Sequence, residues 1–298
     1  MRKRRDRFPP FLFQGRIMKL IWSHFNLDFI HKTHIMGILN ITPDSFSDGG
    51  LHFDRSIAIE QGIRMVSDGA DILDIGGEST RPGSEPVSLE EELRRTIPVI
   101  EALAKKVAVP ISIDTYKAEV ARQALAAGAS IVNDISGLRF DPDMPKVIAH
   151  YKVPVVIMHI KGRPREMQQN PQYEALIPEI MDYFRISIRL AKKFGISDEL
   201  MILDPGIGFG KTFDHNLEIL NNLEQFALLE KPLLVGSSRK AFLGRILGDA
   251  AASDRLEGTA AAVAVSIMKG ANIIRVHDVK EMAKVAKVID AIKREKVA

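Results

Sequence analysis

No cysteine occurs anywhere in the 298 residues, which removes disulfides, thiolate nucleophiles and Cys-ligated zinc or iron–sulfur centres from consideration. Among the eight histidines no H-x-x-x-H pair exists, so a dedicated helical zinc site is not encoded, although a magnesium held mainly by substrate phosphate is compatible with this composition. No uninterrupted apolar run approaches the roughly 20 residues that a membrane-spanning helix needs. Phosphate-binding fingerprints are missing as well. Gly206-Ile207-Gly208-Phe209-Gly210-Lys211-Thr212 imitates a P-loop, but position 205 is Pro where that motif needs glycine, and Lys211 breaks G-x-G-x-x-G. These glycines instead suit a loop lying close against a ligand or a barrel rim.

Positive charge is confined to one end. The net charge is +3, yet residues 1–7 hold five cations and one carboxylate, +4 in all, so the remaining chain is −1. Basicity therefore belongs to a tail and gives no reason to expect a nucleic-acid partner for the rest. The segment after it is too short and too broken by proline for a secretory signal. Residues 1–17 are expected to be a disordered basic leader, with Met18 an alternative start, and 18–298 one domain. The 46% hydrophobic and 27% charged composition is globular. A cytoplasmic protein with no membrane partner is the expectation.

After a lead-in over 20–32 that reads as a hairpin or extended segment, short apolar runs recur at 34–39, 72–75, 111–113, 131–132, 155–158, 201–203, 233–235 and 273–276. Helical patterns lie between them, at 54–68, 89–106, 117–127, 178–194, 214–228, 239–247, 255–269 and 279–293. Ser88 with Glu91 fits a capping box. Eight buried strands alternating with helices predict an α/β protein, a (β/α)8 TIM barrel with a short N-terminal hairpin lead-in. A doubly wound open sheet is the alternative, disfavoured because no Gly-rich dinucleotide turn follows the first strand.

Each run ends in something polar or in glycine: Asn40; Gly76-Gly77-Glu78-Ser79-Thr80-Arg81-Pro82-Gly83; Asp114-Thr115; Asn133-Asp134; Met158-His159; Asp204-Pro205-Gly206; Gly236-Ser237-Ser238-Arg239-Lys240; Arg275-Val276-His277-Asp278. Helix caps explain any one of these, and explain Thr115, Asp214 and Asp278 best. Caps do not require Lys240, Arg275 and His277 at the same rim as Asp114, Asn133 and Asp204. Barrel enzymes build their sites at that rim. Asp114, Asn133 and Asp204 suit an aminopyrimidine-like edge of N–H donors and carbonyl acceptors, with Lys240 meeting a ring carbonyl or nitrogen. Met158 and Phe209 can cover a flat ring, although core packing is the commoner fate of such a Met. Arg275 and His277, two apart on an extended end, face one side and make an anion clamp with Asn40. For His277 alone, a structural hydrogen bond is the favoured reading; the common use of the last two strands for phosphate in barrels tilts it toward the clamp.

These motifs, together with residues 36–50 and Leu203-Asp204-Pro205-Gly206-Ile207-Gly208-Phe209, resemble the dihydropteroate synthase family from about Thr33 to the C-terminus. The resemblance implies condensation of 6-hydroxymethyl-7,8-dihydropterin diphosphate with p-aminobenzoate in folate synthesis, by a dissociative substitution. It implies that Asp114, Asn133, Asp204 and Lys240 hold the pterin, with Met158 and Phe209 at its faces. Asn40, Arg275 and His277 would hold the diphosphate, with Mg2+ bridging it to Asn40. Loops bearing Phe46, Asp48, Thr80, Arg81 and Pro82 would close over p-aminobenzoate, and Asp48, Asp114, Lys240 and Arg275 would be catalytic. A homodimer acting on small molecules is expected. Ala241 departs from the family pattern, in which many members carry Ser at this place to meet the p-aminobenzoate carboxylate; backbone N–H groups there are the remaining donors. Two other readings share the pterin pocket: a folate-dependent methyltransferase barrel, and a non-catalytic pterin-binding paralogue.

Overall fold

The computed structural model describes residues 19–41, 50–80 and 83–296. The expected leader, and Phe46, Asp48, Arg81 and Pro82, lie outside the described residues. A hairpin of β1 (Lys19–Trp22) and β2 (Phe25–Asp28) precedes eight strands: β3 (His34–Asn40), β4 (Ile72–Gly76), β5 (Ile111–Asp114), β6 (Ile131–Asp134), β7 (Val155–Met158), β8 (Met201–Asp204), β9 (Leu234–Val235) and β10 (Ile273–Val276). These pair in parallel in the order β8-β7-β6-β5-β4-β3-β10-β9. The seam between β8 and β9 is bridged where Leu203 faces Leu233 and donates its N–H to the Pro232 carbonyl at 2.9 Å. The architecture is the (β/α)8 TIM barrel with the hairpin in front.

The helices are α1 (Gly50–Ser67), α2 (Leu89–Ala104), α3 (Ala118–Ala126), α4 (Met144–Tyr151), α5 (Leu176–Lys193), α6 (Phe213–Asn221), α7 (Ala241–Ile246), α8 (Leu256–Met268) and α9 (Val279–Arg294). The eight expected helical patterns omit α4, which is eight residues long and carries Pro145 in its first turn and a left-handed Lys152 at its end. So short an element shows little periodicity. The expected helix at 214–228 is two pieces, α6 and a 3-10 segment Leu223–Leu229. Ser88 does cap α2, accepting from the Glu91 N–H at 3.2 Å. The box is only half made, because Glu91 turns its carboxylate to Arg94 and Arg95 instead. A reciprocal box forms at Thr212 and His215.

Strand parity sorts the side chains. Ile35, Leu39, Leu73, Ile75, Ile113, Val132, Ile157, Leu203 and Ile274 pack outward with the helices. Met36, Ile72, Ile131, Val156, Ile202, Leu234 and Ile273 fill the lower barrel, closed beneath by Leu20, Trp22 and Leu27 of the hairpin. Successive inward positions are two residues apart. Counting up from that apolar floor leads, on the seven strands that form it, to Asn40, Asp74 and Gly76, Asn133, Met158, Asp204, Gly236, and Arg275 with His277 beyond it.

Candidate functional site

Most of the strands run one or two residues further than their apolar stretches. Asn40, Gly76, Asp114, Asn133, Asp134 and Asp204 therefore sit on the sheet itself, where the ladder fixes their Cα positions more firmly than a loop would. Asn40, Gly76, Asp114 and Asn133 are successive Cα partners across β3 to β6, and Met158 pairs with Asp204. Gly76 keeps that row open: a Cβ there would lie 3.5 Å from the Asp114 Cβ and 3.7 Å from the Asn40 Oδ1.

Arg275 is the hub. Its Nε donates to Asp74 Oδ2 and its Nη2 to Asp114 Oδ2, each at 2.6 Å. Asn133 Nδ2 donates to the same Asp74 oxygen at 3.1 Å. Burial pulls the Arg275 pKa down, but the Asp74 and Asp114 carboxylates more than offset it, and the guanidinium stays charged. Burial pushes the Asp114 carboxyl up to about 7; Arg275 opposes this, while Asp74, Glu92 and Asp134 add to it. Asp204 rises to about 6, again mainly through burial, against the Gly206 N–H that its Oδ1 accepts at 2.7 Å and the nearby Lys240. The site thus holds carboxylates poised near neutrality, a pattern typical of functional pockets. Asp134 is committed elsewhere: its two oxygens accept the Ser136 and Leu138 N–H groups, each at 2.8 Å, and hold the turn after β6.

Lys240 places its Nζ 4.3 Å from the centre of the Phe209 ring, a cation–π pairing that brings two of the expected residues together. Met158 is buried with Ile135, Ile160 and Met167, against which Tyr116, Phe140 and Phe209 pack. An apolar wall thus lies beside the polar row. His277 is brought to Ser238: its backbone N–H donates to Ser238 Oγ at 3.2 Å, and that hydroxyl lies 3.1 Å from its Nδ1. Burial first, then Arg275 and Arg239, lower its pKa to about 3. It enters as a neutral imidazole, not as a second cation. Arg239, left-handed at φ 57°, is held by a two-point ion pair to Asp278. This sets the turn that carries Lys240.

Gly206 shows why the glycine-rich stretch exists. It has φ +68°, and a Cβ on it would lie 2.0 Å from the His159 carbonyl oxygen. The loop lies close against the barrel rim at β7, which leaves no room for a side chain. Lys211, 2% exposed, ties the two together by donating to the Phe209 carbonyl and approaching His159 Nδ1, each at 2.9 Å.

Thr80 lies in the loop after β4 and is half-buried. That loop is anchored behind it: Glu78 accepts from Tyr116 Oη and Lys117 Nζ, each at 2.6 Å, and Lys117 also donates to Glu92 at 2.5 Å. Sequence reasoning passed over Asp74, Lys117 and Glu92. Asp74 sits inside the apolar run 72–75, where a carboxylate is the only signal, and the other two lie on or next to helices whose charges read as solvated faces.

The family of pterin binding enzymes matches residues 36–277. A dihydropteroate synthase of Synechocystis is 50% identical over 289 residues, covering 97% of this chain and 97% of that protein. The structure of a Yersinia pestis dihydropteroate synthase in a sulfonamide drug complex superposes with a TM-score of 0.88 at 42% identity, over 93% of this chain and all of the other. That of a Xanthomonas albilineans dihydropteroate synthase with 4-aminobenzoic acid gives 0.87 at 40% identity, over 93% and 98%.

Proposed function

We infer the roles at this rim from one premise: the chain belongs to the pterin binding enzyme family and is a transferase of folate biosynthesis with dihydropteroate synthase activity. It joins 6-hydroxymethyl-7,8-dihydropterin diphosphate to p-aminobenzoate, yielding 7,8-dihydropteroate and pyrophosphate. In our reading Asp114, Asn133, Asp204 and Lys240 grip the pterin edge while Met158 and Phe209 cover its faces. Two acceptor carboxylates, an amide and an ammonium complement the ring's N–H donors and its carbonyl. Arg275, His277 and Asn40 take the diphosphate. Phe46, Asp48, Thr80, Arg81 and Pro82 close over p-aminobenzoate, with backbone N–H groups beside Ala241 meeting its carboxylate.

The reaction breaks the bond between the ring-borne methylene carbon and the diphosphate oxygen, and the electron pair leaves with pyrophosphate. Arg275 donates to those oxygens as charge builds there, with His277 adding a neutral N–H. Positive charge left on the methylene spreads into the pterin, where buried Asp114 stabilises it more than it stabilises the ground state. The neutral aniline nitrogen attacks that carbon, and the anilinium so formed passes its proton to the released pyrophosphate or to solvent. On this reading the segments 42–50, with Asp48, and 79–83 would keep out water, which would otherwise capture the cation. A magnesium ion suits this donor set as a partner of the diphosphate: Asn40 offers one neutral oxygen at the rim, and among the described residues no cluster of three His, Asp or Glu could cage a metal. When bound it would neutralise charge on the leaving group.

The observation that supports this reading best is a cation, Arg275, locked between buried Asp74 and Asp114 beside an apolar wall. We propose a cytoplasmic setting for this step of folate synthesis; no helix among the described residues is long and apolar enough to cross a membrane. No nucleic-acid or membrane partner is proposed. A homodimer is supported by apolar side chains left exposed on the last helices, Val265, Met268 and Ile292 among them. Supplying pterin diphosphate, p-aminobenzoate and magnesium and following pyrophosphate release tests the activity. Absence of product at every enzyme concentration would overturn it.

A further inference from the structure

We propose that Asp74 is the positioning residue of this site: its buried carboxylate aims both the Arg275 guanidinium and the Asn133 amide, and so ties the diphosphate end to the pterin end. The inference rests on the roles given above to Arg275 and Asn133.

Asp74 is 0% exposed on β4, one inward position below Gly76. It lies beneath the rim row and acts through its neighbours. An ionised carboxylate only accepts hydrogen bonds. Because Asp74 Oδ2 takes the Nδ2 of Asn133 at 3.1 Å, the amide cannot turn over. Its donor end points down and its Oδ1 is the end turned elsewhere, as a ring N–H requires. The same oxygen takes Arg275 Nε at 2.6 Å while Asp114 takes Nη2 at 2.6 Å. A guanidinium is planar, so two fixed points fix its plane. Nη1 and the second Nη2 hydrogen are then the donors left for an anion.

As a fold element alone, Asp74 is poorly satisfied. Its Oδ1 is buried without a hydrogen-bond partner, and so is the Oγ of Ser112, its Cα partner on β5. Buried polar atoms are ordinarily paired, and exceptions concentrate at functional sites. One arginine also serves two carboxyl groups here, Asp74 through its Nε and Asp114 through its Nη2. An apolar residue at 74 would continue the floor below it and leave Arg275 wholly to Asp114, which on our reading must face the pterin.

Asp74→Asn preserves volume and removes the charge. With wild-type enzyme as control, we expect kcat/KM for pterin diphosphate to fall about 10- to 100-fold, the scale of losing a hydrogen bond to a charged group. KM for p-aminobenzoate should stay within about threefold, because that pocket is untouched, whereas general loosening of the fold would move both. Combined with Arg275→Ala, the loss should fall clearly short of the product of the single losses, since Asp74 acts in part through Arg275. Unchanged kcat/KM, with or without a lower Tm, overturns the proposal, and so do losses that multiply. If wild type itself makes no product, the functional reading fails instead. Should the variant not fold, 15N spectra of the wild-type protein decide. The Arg275 Nε–H should exchange slowly and stay in place when pyrophosphate is added, while the Nη resonances move; a rapidly exchanging Nε–H refutes the role.

Discussion

At the scale of single residues the site is a problem of charge in a poorly solvated place. Arg275 sits between two carboxylates, and its value to the reaction depends on remaining charged when a diphosphate arrives. Arg275→Ala should weaken pterin diphosphate binding more than binding of the pterin alone. Calorimetry with both ligands separates the two, and equal losses refute the division of labour. Asp114→Asn should weaken the pterin alone by about 1.5–3 kcal/mol, as expected for removing a charged acceptor. The raised carboxyls give a pH dependence with a definite sign. Asp114 at about 7 and Asp204 at about 6 take up protons in the free protein as pH falls. Acceptors for ring N–H groups are then lost, so pterin affinity should drop below pH 7, by roughly tenfold per unit, and more steeply below 6. Stability runs the other way. A carboxyl raised by burial binds more protons folded than unfolded, so these two groups favour the folded state increasingly as pH falls from about 7 toward the ordinary carboxylate value of 3.8. Titrating ligand affinity and Tm across this window checks both signs.

Elements contribute rigidity where the loops cannot. The β8-to-α6 loop is pinned to the exit of β7 because Gly206 lies under the His159 carbonyl and Lys211 closes the gap. Gly206→Ala combines left-handed strain with a backbone clash, and should cost on the order of 3 kcal/mol or more in urea unfolding. Phe209 and Lys240 ride on this arrangement, so pterin affinity should fall with it. The β4-to-α2 loop is held by Lys117 between Glu78 and Glu92. Burial raises the Glu92 pKa against the pull of Lys117, so the lysine is what makes the pair of carboxylates tolerable. Lys117→Met should destabilise by about 3–5 kcal/mol, the cost of leaving buried charge unpaired. It should also raise KM for p-aminobenzoate through the loop carrying Thr80.

For the whole molecule, the barrel is stoppered at its lower end by the hairpin and works at its upper end. Leu20, Trp22 and Leu27 lie against the lowest inward layer, all of them buried. Trp22→Ala should cost about 3–5 kcal/mol by leaving a cavity under the barrel. Its effect on kcat should be small, since the floor of Ile72, Ile131 and Ile202 stands between the hairpin and the rim. Thermal unfolding beside steady-state kinetics checks that separation.

The sequence by itself determined a parallel α/β architecture, since eight short apolar runs alternating with helical segments must bury both faces of a parallel sheet, and the missing Gly-rich turn after the first strand favoured the barrel over the open sheet. It also determined the rim, because a polar residue ending an apolar run marks where a strand leaves the core. Tertiary structure alone decided which polar residues meet. Asp74 and Arg275 are 201 positions apart, and nothing local distinguishes a carboxylate that pairs across a barrel from one that caps a turn, as Asp134 does. Charge state was equally out of reach: His277 is neutral because burial and two arginines surround it. Hydrogen-bond partners and desolvation are properties of the packed chain, set only once the strands close around a common interior.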